Sequence, residues 1–124
     1  MVDYLYDGTF EGFLTCVHAH YYYEKAAGIY RKENYQASLL NDCRFVDTDE
    51  EKAVRVYEAI ERKISREDLR RIYRVFLSSN LEKENMLLKY ILLGFKSGPG
   101  IDQLHSNPIV FAVQQWENKV SFET

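Results

Sequence analysis

The sequence predicts an α+β fold dominated by helix, with a small N-terminal sheet of short strands packed by four or five helices. Three observations carry that prediction. Val2-Asp3-Tyr4-Leu5-Tyr6 alternates apolar and polar side chains and favours aromatics, as a short strand requires. From Phe10 onward apolar residues recur every three or four positions, the period of an amphipathic helix. Caps, glycines and prolines then punctuate the chain at the points where that period breaks.

Val2-Asp3-Tyr4-Leu5-Tyr6 is the strand, and Asp7-Gly8-Thr9 is a turn that ends in a helix N-cap. The apolar positions Phe10, Phe13, Leu14, Val17 and Tyr21 give a first helix running to about Lys25, with Gly28 as its stop. Ile29-Tyr30-Arg31 and Arg44-Phe45-Val46 read as short strands separated by the polar stretch from Glu33 to Asp42. Thr48-Asp49-Glu50-Glu51 predicts a capping box, in which the threonine oxygen accepts from the amide three residues on. The second helix follows, with Ala53, Val56, Tyr57, Ile60 and Ile64 on its apolar stripe. Ser65 and Asp68 cap a third, whose inner face is Leu69, Ile72, Tyr73, Phe76 and Leu77. Ser78-Ser79-Asn80 breaks the run before a fourth helix bearing Leu87, Leu88, Ile91, Leu92 and Phe95. That helix is expected to be the most buried, and it stops at Gly98-Pro99-Gly100. Asn107-Pro108 opens a fifth, with Ile109, Val113, Trp116 and Val120 on one stripe. Together the helices amount to about 60% of the chain, against a base rate of roughly one-third.

A chain of 124 residues fits a single domain, and 46% hydrophobic with 28% charged residues is ordinary globular composition. The net charge of -3 excludes a uniformly basic surface that coats nucleic acid, although it leaves room for a local patch. No apolar run reaches the roughly 18 residues of a membrane span, and Met1-Val2-Asp3-Tyr4 lacks the basic start of a signal peptide. The expectation is a cytoplasmic chain without a membrane partner. Cys16 and Cys43 form no CxxC, so free thiols are expected.

Several stretches resemble one bacterial family in order and spacing. They are Tyr4-Leu5-Tyr6-Asp7-Gly8-Thr9-Phe10-Glu11-Gly12-Phe13-Leu14, then Thr48-Asp49-Glu50-Glu51-Lys52-Ala53 leading to Arg55-Val56-Tyr57. Further on come Ile60-Glu61-Arg62-Lys63-Ile64-Ser65 and Tyr90-Ile91-Leu92-Leu93-Gly94-Phe95, followed by Gly98-Pro99. The chain resembles, over nearly its whole length, the N-terminal half of the "probable DNA metabolism" proteins, a family without an established function. Its members are encoded beside a radical SAM protein of DNA modification or repair, and some are fused to a uracil-DNA glycosylase-like domain. The resemblance implies an accessory or adaptor domain of such a system, with a radical SAM protein as partner. Family members continue through a valine, two residues, glutamate and histidine into a second half, whereas here Val120-Ser121-Phe122-Glu123-Thr124 departs at the last position. A longer protein is therefore expected, and Trp116, Val120 or Phe122 would keep apolar surface that invites self-association. None of the matching stretches is a catalytic signature.

The sharpest electrostatic feature is residues 62–74, where Arg62, Lys63, Arg66, Arg70, Arg71 and Arg74 stand against Glu67 and Asp68. On a helical wheel Arg70, Arg71 and Arg74 project within about 40° to 140° of Arg66, opposite Leu69, Ile72, Tyr73 and Phe76. Guanidinium groups bind phosphate bidentately, so this face fits contact with a DNA or RNA backbone; a solvated, salt-bridged face or a protein interface fits the same residues. Tyr21-Tyr22-Tyr23 cannot all point into one core, so at least one ring is expected outside, to stack on an unpaired base or anchor a partner.

No metal, cofactor or catalytic set is assigned from the sequence. Cys16 and His20 share a helix face and His18 points away, so a closed zinc site would need Cys43 and His105 from far along the chain; a buried cysteine with surface histidines is the expected arrangement. Asp47, Asp49, Glu50 and Glu51 serve a helix start rather than Mg²⁺. Residues 94–100 fit helix termination rather than a phosphate loop. Two alternatives to the adaptor remain. In one, the chain is part of an enzyme acting on nucleic acid, whose site needs the C-terminal half; a cleft joining two or more of Asp3, Asp7, Glu11 and His20 would favour it. In the other it is a purely protein-binding helical module, favoured by one exposed patch of tyrosines and Trp116.

Overall fold

The structure is a computed structural model that describes residues 1–37 and 40–123, with side chains to Val120. Its elements run β1 (Val2–Tyr6), α1 (Phe10–Tyr22), β2 (Ala26–Arg31), β3 (Asp42–Phe45), α2 (Glu50–Lys63), α3 (Arg66–Phe76), α4 (Lys83–Ser97) and α5 (Pro108–Glu123), with short 3-10 turns at Lys32–Asn34 and Gly98–Gln103. The fold is helix-dominated α+β. Two compact units divide the chain, Met1–Tyr57 and Glu58–Thr124. No helix among the described residues is long and apolar enough to cross a membrane.

The first unit is built on β1. It is the middle strand of a three-stranded sheet of order β2-β1-β3, and both pairings are parallel. Tyr4 pairs with Ile29 on one side and Arg44 on the other. Parallel neighbours need a long connection, and α1 supplies the one between β1 and β2. Thr9 caps α1 as its sequence predicts, its hydroxyl accepting from the Gly12 amide at 3.0 Å. The run Gly12–Ala19 is buried without a break, more continuously than any stretch of α4, so α1 rather than α4 takes the most buried place. α1 ends at Tyr22 and not near Lys25, because residues 26–31 are captured by pairing with β1; Gly28 lies inside β2 and stops nothing. Ala26, Gly28 and Ile29 are the buried members of that strand.

The second unit holds the end of α2 and α3, α4 and α5, of which the last three pack pairwise against one another. Ile60, Ile64, Leu69, Ile72, Val75, Phe76, Leu87, Tyr90, Ile91, Val110 and Val113 make its core. Most of the predicted stripes enter it, with differences at their edges. Tyr73 and Leu77 are 48% and 60% exposed, and Val75 takes the inner place. In α2, Tyr57 is likewise exposed on the first unit. Val110 rather than Ile109 is buried in α5, and Asn107 caps that helix by accepting from the Ile109 amide at 2.8 Å. Val120 is buried, so it leaves no open apolar surface; Trp116 is half-buried beneath the Lys119 ammonium, and the Phe122 side chain lies outside the described residues.

Candidate functional site

Two places gather polar side chains, one in each unit. In the first unit, the chain leaves β1 toward β2 on one side, while β3 pairs on the other side and leads on to α2. The strand order thus reverses at β1, and the loops after β1 and β3 lie side by side. In open sheets of parallel strands, the crevice outside the carboxyl ends at such a reversal is where ligands bind. The larger of two cavities lies there, and the smaller runs from the loop after β3 back along α1 to Tyr23. The larger, of about 520 Å³, is lined by Asp7, Thr9, Phe10, Glu11, Leu14, Thr48, Glu50, Ala53, Val54 and Tyr57. The smaller, of about 340 Å³, is lined by Tyr4, Thr15, Ala19, Tyr23, Lys52 and the loop Arg44 to Asp49.

Thr48 belongs to both cavities, and its hydroxyl donates to Asp7 Oδ2 at 2.8 Å. The other carboxylate oxygen of Asp7 accepts from the Thr9 amide at 2.9 Å and the Thr9 hydroxyl at 2.6 Å. Burial pushes this carboxyl up, but the donors from Thr9 and Thr48 outweigh it and hold it below the ordinary aspartate range. Asp7 is thus an ionised hub joining the β1 turn, the start of α1 and the loop before α2. A Cβ on Gly12 would collide with Asp7 Oδ1, which is why the residue one turn into α1 has no side chain. The capping of α2 differs from its sequence reading. Asp49, not Thr48, accepts from the Lys52 amide at 3.1 Å, since Thr48 is committed to Asp7. Thr15 on α1 closes the crevice floor by accepting from the Asp49 amide at 3.2 Å.

The histidines and cysteines of α1 do not converge. His20 Nδ1 accepts from the Ala26 amide at 2.9 Å, which puts the ring proton on Nε2 and makes His20 the clasp between α1 and β2. Burial and Lys25 lower its pKa, which favours that neutral form. His18 is buried rather than at the surface, its ring 4.4 Å from that of Tyr22, and Nδ1 has no hydrogen-bond partner. Burial, reinforced by Lys52 and Arg55, pushes His18 below its ordinary value. Cys16 is buried and Cys43 exposed. Asp3 is buried and accepts from Tyr35 at 3.0 Å, away from the crevice. Of the four residues that would mark a cleft, Asp7 and Glu11 come together and Asp3 and His20 do not. All of Tyr21, Tyr22 and Tyr23 are exposed.

The second unit rearranges the arginine face. Arg71 is 9% exposed, not in solvent. Its Nη1 lies 2.7 Å from Asp68 and 2.6 Å from Asp102, and its Nε 2.8 Å from Glu117. Glu117 also takes Arg74, at 3.0 Å. The Tyr90 hydroxyl donates to Asp68 at 2.7 Å, and Ser65 donates to the other Asp68 oxygen at 2.6 Å while accepting the Asp68 amide. Burial and the neighbouring Asp68 push Asp102 up to about 6, against the pull of Arg71. Asp68, buried but surrounded by donors from Asp102, Ser65, Tyr90 and Arg71, is held low. Arg66 pairs with Glu61 at 3.2 Å, and Lys63 sits over the Phe95 ring. Arg62 and Arg70 remain exposed. The wheel misplaced Arg71 because α5 and the turn before it bring Glu117 and Asp102 onto that flank, which helical spacing within α3 does not encode.

Compared with protein-family models, with curated proteins and with solved structures, the chain matches none.

Proposed function

We propose that the chain is an accessory domain of a bacterial DNA metabolism or repair system, working beside a radical SAM partner that carries the chemistry. The observation that carries this reading is a coincidence of sequence and site. Tyr4 to Leu14, the most distinctive stretch in the family resemblance, is also the stretch that makes the central strand, the Asp7 hub and the start of α1 beside the crevice. A family motif that maps to a ligand-type crevice fits a functional constraint better than a purely structural one. Contact with DNA through α2 and α3 would rest first on Arg62, Lys63 and Arg70, since Arg71 is buried among carboxylates and Arg66 and Arg74 are each paired with one. Copurification of the full-length protein with the neighbouring radical SAM protein tests the reading: co-elution is expected, and separate elution of the two at micromolar concentrations overturns it.

A second reading, part of an enzyme acting on nucleic acid, is favoured by Asp7 and Glu11 lining the same cavity. Glu11 is exposed in the first turn of α1, where loss of its charge costs the helix only about 0.3–1 kcal/mol, so Glu11→Gln separates chemistry from folding. Turnover of damaged DNA by the full-length protein, lost in that variant with thermal stability nearly unchanged, is the result this reading expects.

A further inference from the structure

The smaller cavity combines features that the adaptor reading leaves unused. Tyr23 and Phe45 line it with rings that are 67% and 45% exposed, unusual for aromatics with a core to enter. Arg44 and Lys52 line it too. Their pairings are loose: Arg44 is 3.7 Å from Glu24 and Lys52 4.0 Å from Asp49, all four side chains at least a third exposed. Exposed pairs of this kind contribute little, so both cations can exchange a carboxylate for another anion at small cost. Lys52 also donates to the Tyr23 hydroxyl at 3.2 Å, with its ammonium 4.9 Å from the ring centroid, which fixes a cation beside the aromatic ring. Beside them, Asp47 offers a carboxylate to amino or hydroxyl donors.

We propose that this cavity binds a single unpaired nucleotide unit, its base against Tyr23 and Phe45 and its phosphate between Arg44 and Lys52. The base supplies a π-face for the rings, and the phosphate a dianion or diester for the cations. A cavity of about 340 Å³ is of the size ligand pockets have. The inference deepens the reading of a DNA-system domain by naming its ligand class, but it concerns the isolated chain and needs no partner protein.

The unit can come from a free nucleotide or from a nucleic-acid strand, and calorimetric titration with thymidine 5′-monophosphate, thymidine and a short oligothymidylate distinguishes the two. Saturable binding of the monophosphate with Kd on the order of 1 mM or tighter is expected, with thymidine clearly weaker. An oligothymidylate that binds about tenfold tighter, with affinity falling as salt rises, assigns a strand; equal affinities assign the free nucleotide. Phe45→Leu, which keeps bulk but removes the π-face, should weaken binding about tenfold, and Lys52→Gln should abolish the advantage over thymidine. Chemical-shift mapping on the unaltered chain reads the same site without substitution. Lack of saturation by either phosphate-bearing ligand overturns the proposal, as do shifts that spare Tyr23 and residues 44–49. Because partner copurification is scored separately, either result leaves the adaptor reading to stand or fall alone.

Discussion

Both units place arginine or lysine beside carboxylates, yet the two arrangements have opposite character. Around Arg71 the pairs are short, buried and shared, with Asp68, Asp102, Glu117 and Tyr90 all converging on one guanidinium. Around the smaller cavity Arg44 and Lys52 have long, exposed contacts to Glu24 and Asp49. A buried cation that satisfies three acids is a structural bolt, because withdrawing it would leave those acids desolvated. A loosely held one is available to a ligand. The difference is not in residue type but in what distant elements deliver: α5 and the Gly98–Gln103 turn close over Arg71, while the β3 edge leaves Arg44 open.

The largest expected effect removes the bolt. Arg71→Ala leaves Asp68, which is fully buried, beside Asp102 and Glu117 without their shared cation. Breaking a buried pair from one side costs about 3–5 kcal/mol, so the urea midpoint of the second unit should fall sharply or the unit should fail to fold. A loss below about 1 kcal/mol would erase the contrast between the two clusters.

Protonation sharpens the contrast next. Asp102 titrates near 6 in the fold against an ordinary value of 3.8, so its ionised form is disfavoured there. Its contribution is fully present below the ordinary value and is lost as pH rises through about 6. Asp68 runs the other way: its lowered value gives stability above the ordinary range that is lost in stronger acid. Asp102→Asn keeps an acceptor for Arg71 but cannot ionise. Denaturation between pH 4 and 7 should therefore show a flatter profile in the variant, with a difference from the parent of about 1–2 kcal/mol across the window. Parallel profiles would mean that Asp102 does not couple to Asp68.

How far the sequence reached differs between the same two regions. Local chemistry was legible: Thr9, Ser65 and Asn107 cap the helices that their positions predict, and Val2–Tyr6 forms the predicted strand. Asp7 and Glu11, read as two of four residues that a cleft would join, do line one cavity. What failed depends on partners remote in sequence. Thr48 looks like a cap until Asp7, 41 positions earlier, claims its hydroxyl. Arg71 looks solvated until Asp102 and Glu117 arrive. His18 reads as a surface residue, whereas its burial is decided by packing that α1 alone does not reveal. The parallel order β2-β1-β3, and with it the crevice, has no local signature, because register between strands is fixed by tertiary pairing.

Within the crevice, Thr48→Val tests whether Asp7 is a hub. Valine keeps the volume but removes the donor to Oδ2, one of three bonds that hold the carboxylate. The hydrogen bond is partly open to water, so a loss of about 0.5–1 kcal/mol is expected. The Asp7 carboxyl should also rise toward its ordinary value, readable by carbon NMR titration of its side chain, because the donors from Thr9 remain and the one from Thr48 is gone. An unmoved titration would assign the whole shift to Thr9.

The smallest effect belongs to Arg44. Its guanidinium pairs with Glu24 at 3.7 Å with side chains 59% and 47% exposed. Such a pair is worth about 0–1 kcal/mol at most, and Arg44→Gln keeps the aliphatic stem that covers the sheet edge, so the unfolding midpoint should move by less than about 0.5 kcal/mol equivalent. The same substitution should weaken thymidine 5′-monophosphate binding about threefold or more, since a phosphate loses one of its two cations. That combination, affinity without stability, is the mirror of Arg71→Ala. A variant that unfolds as readily as the Arg71 one would show that Arg44 is a bolt as well, and the cavity would lose the exchangeable cation on which its anion binding depends.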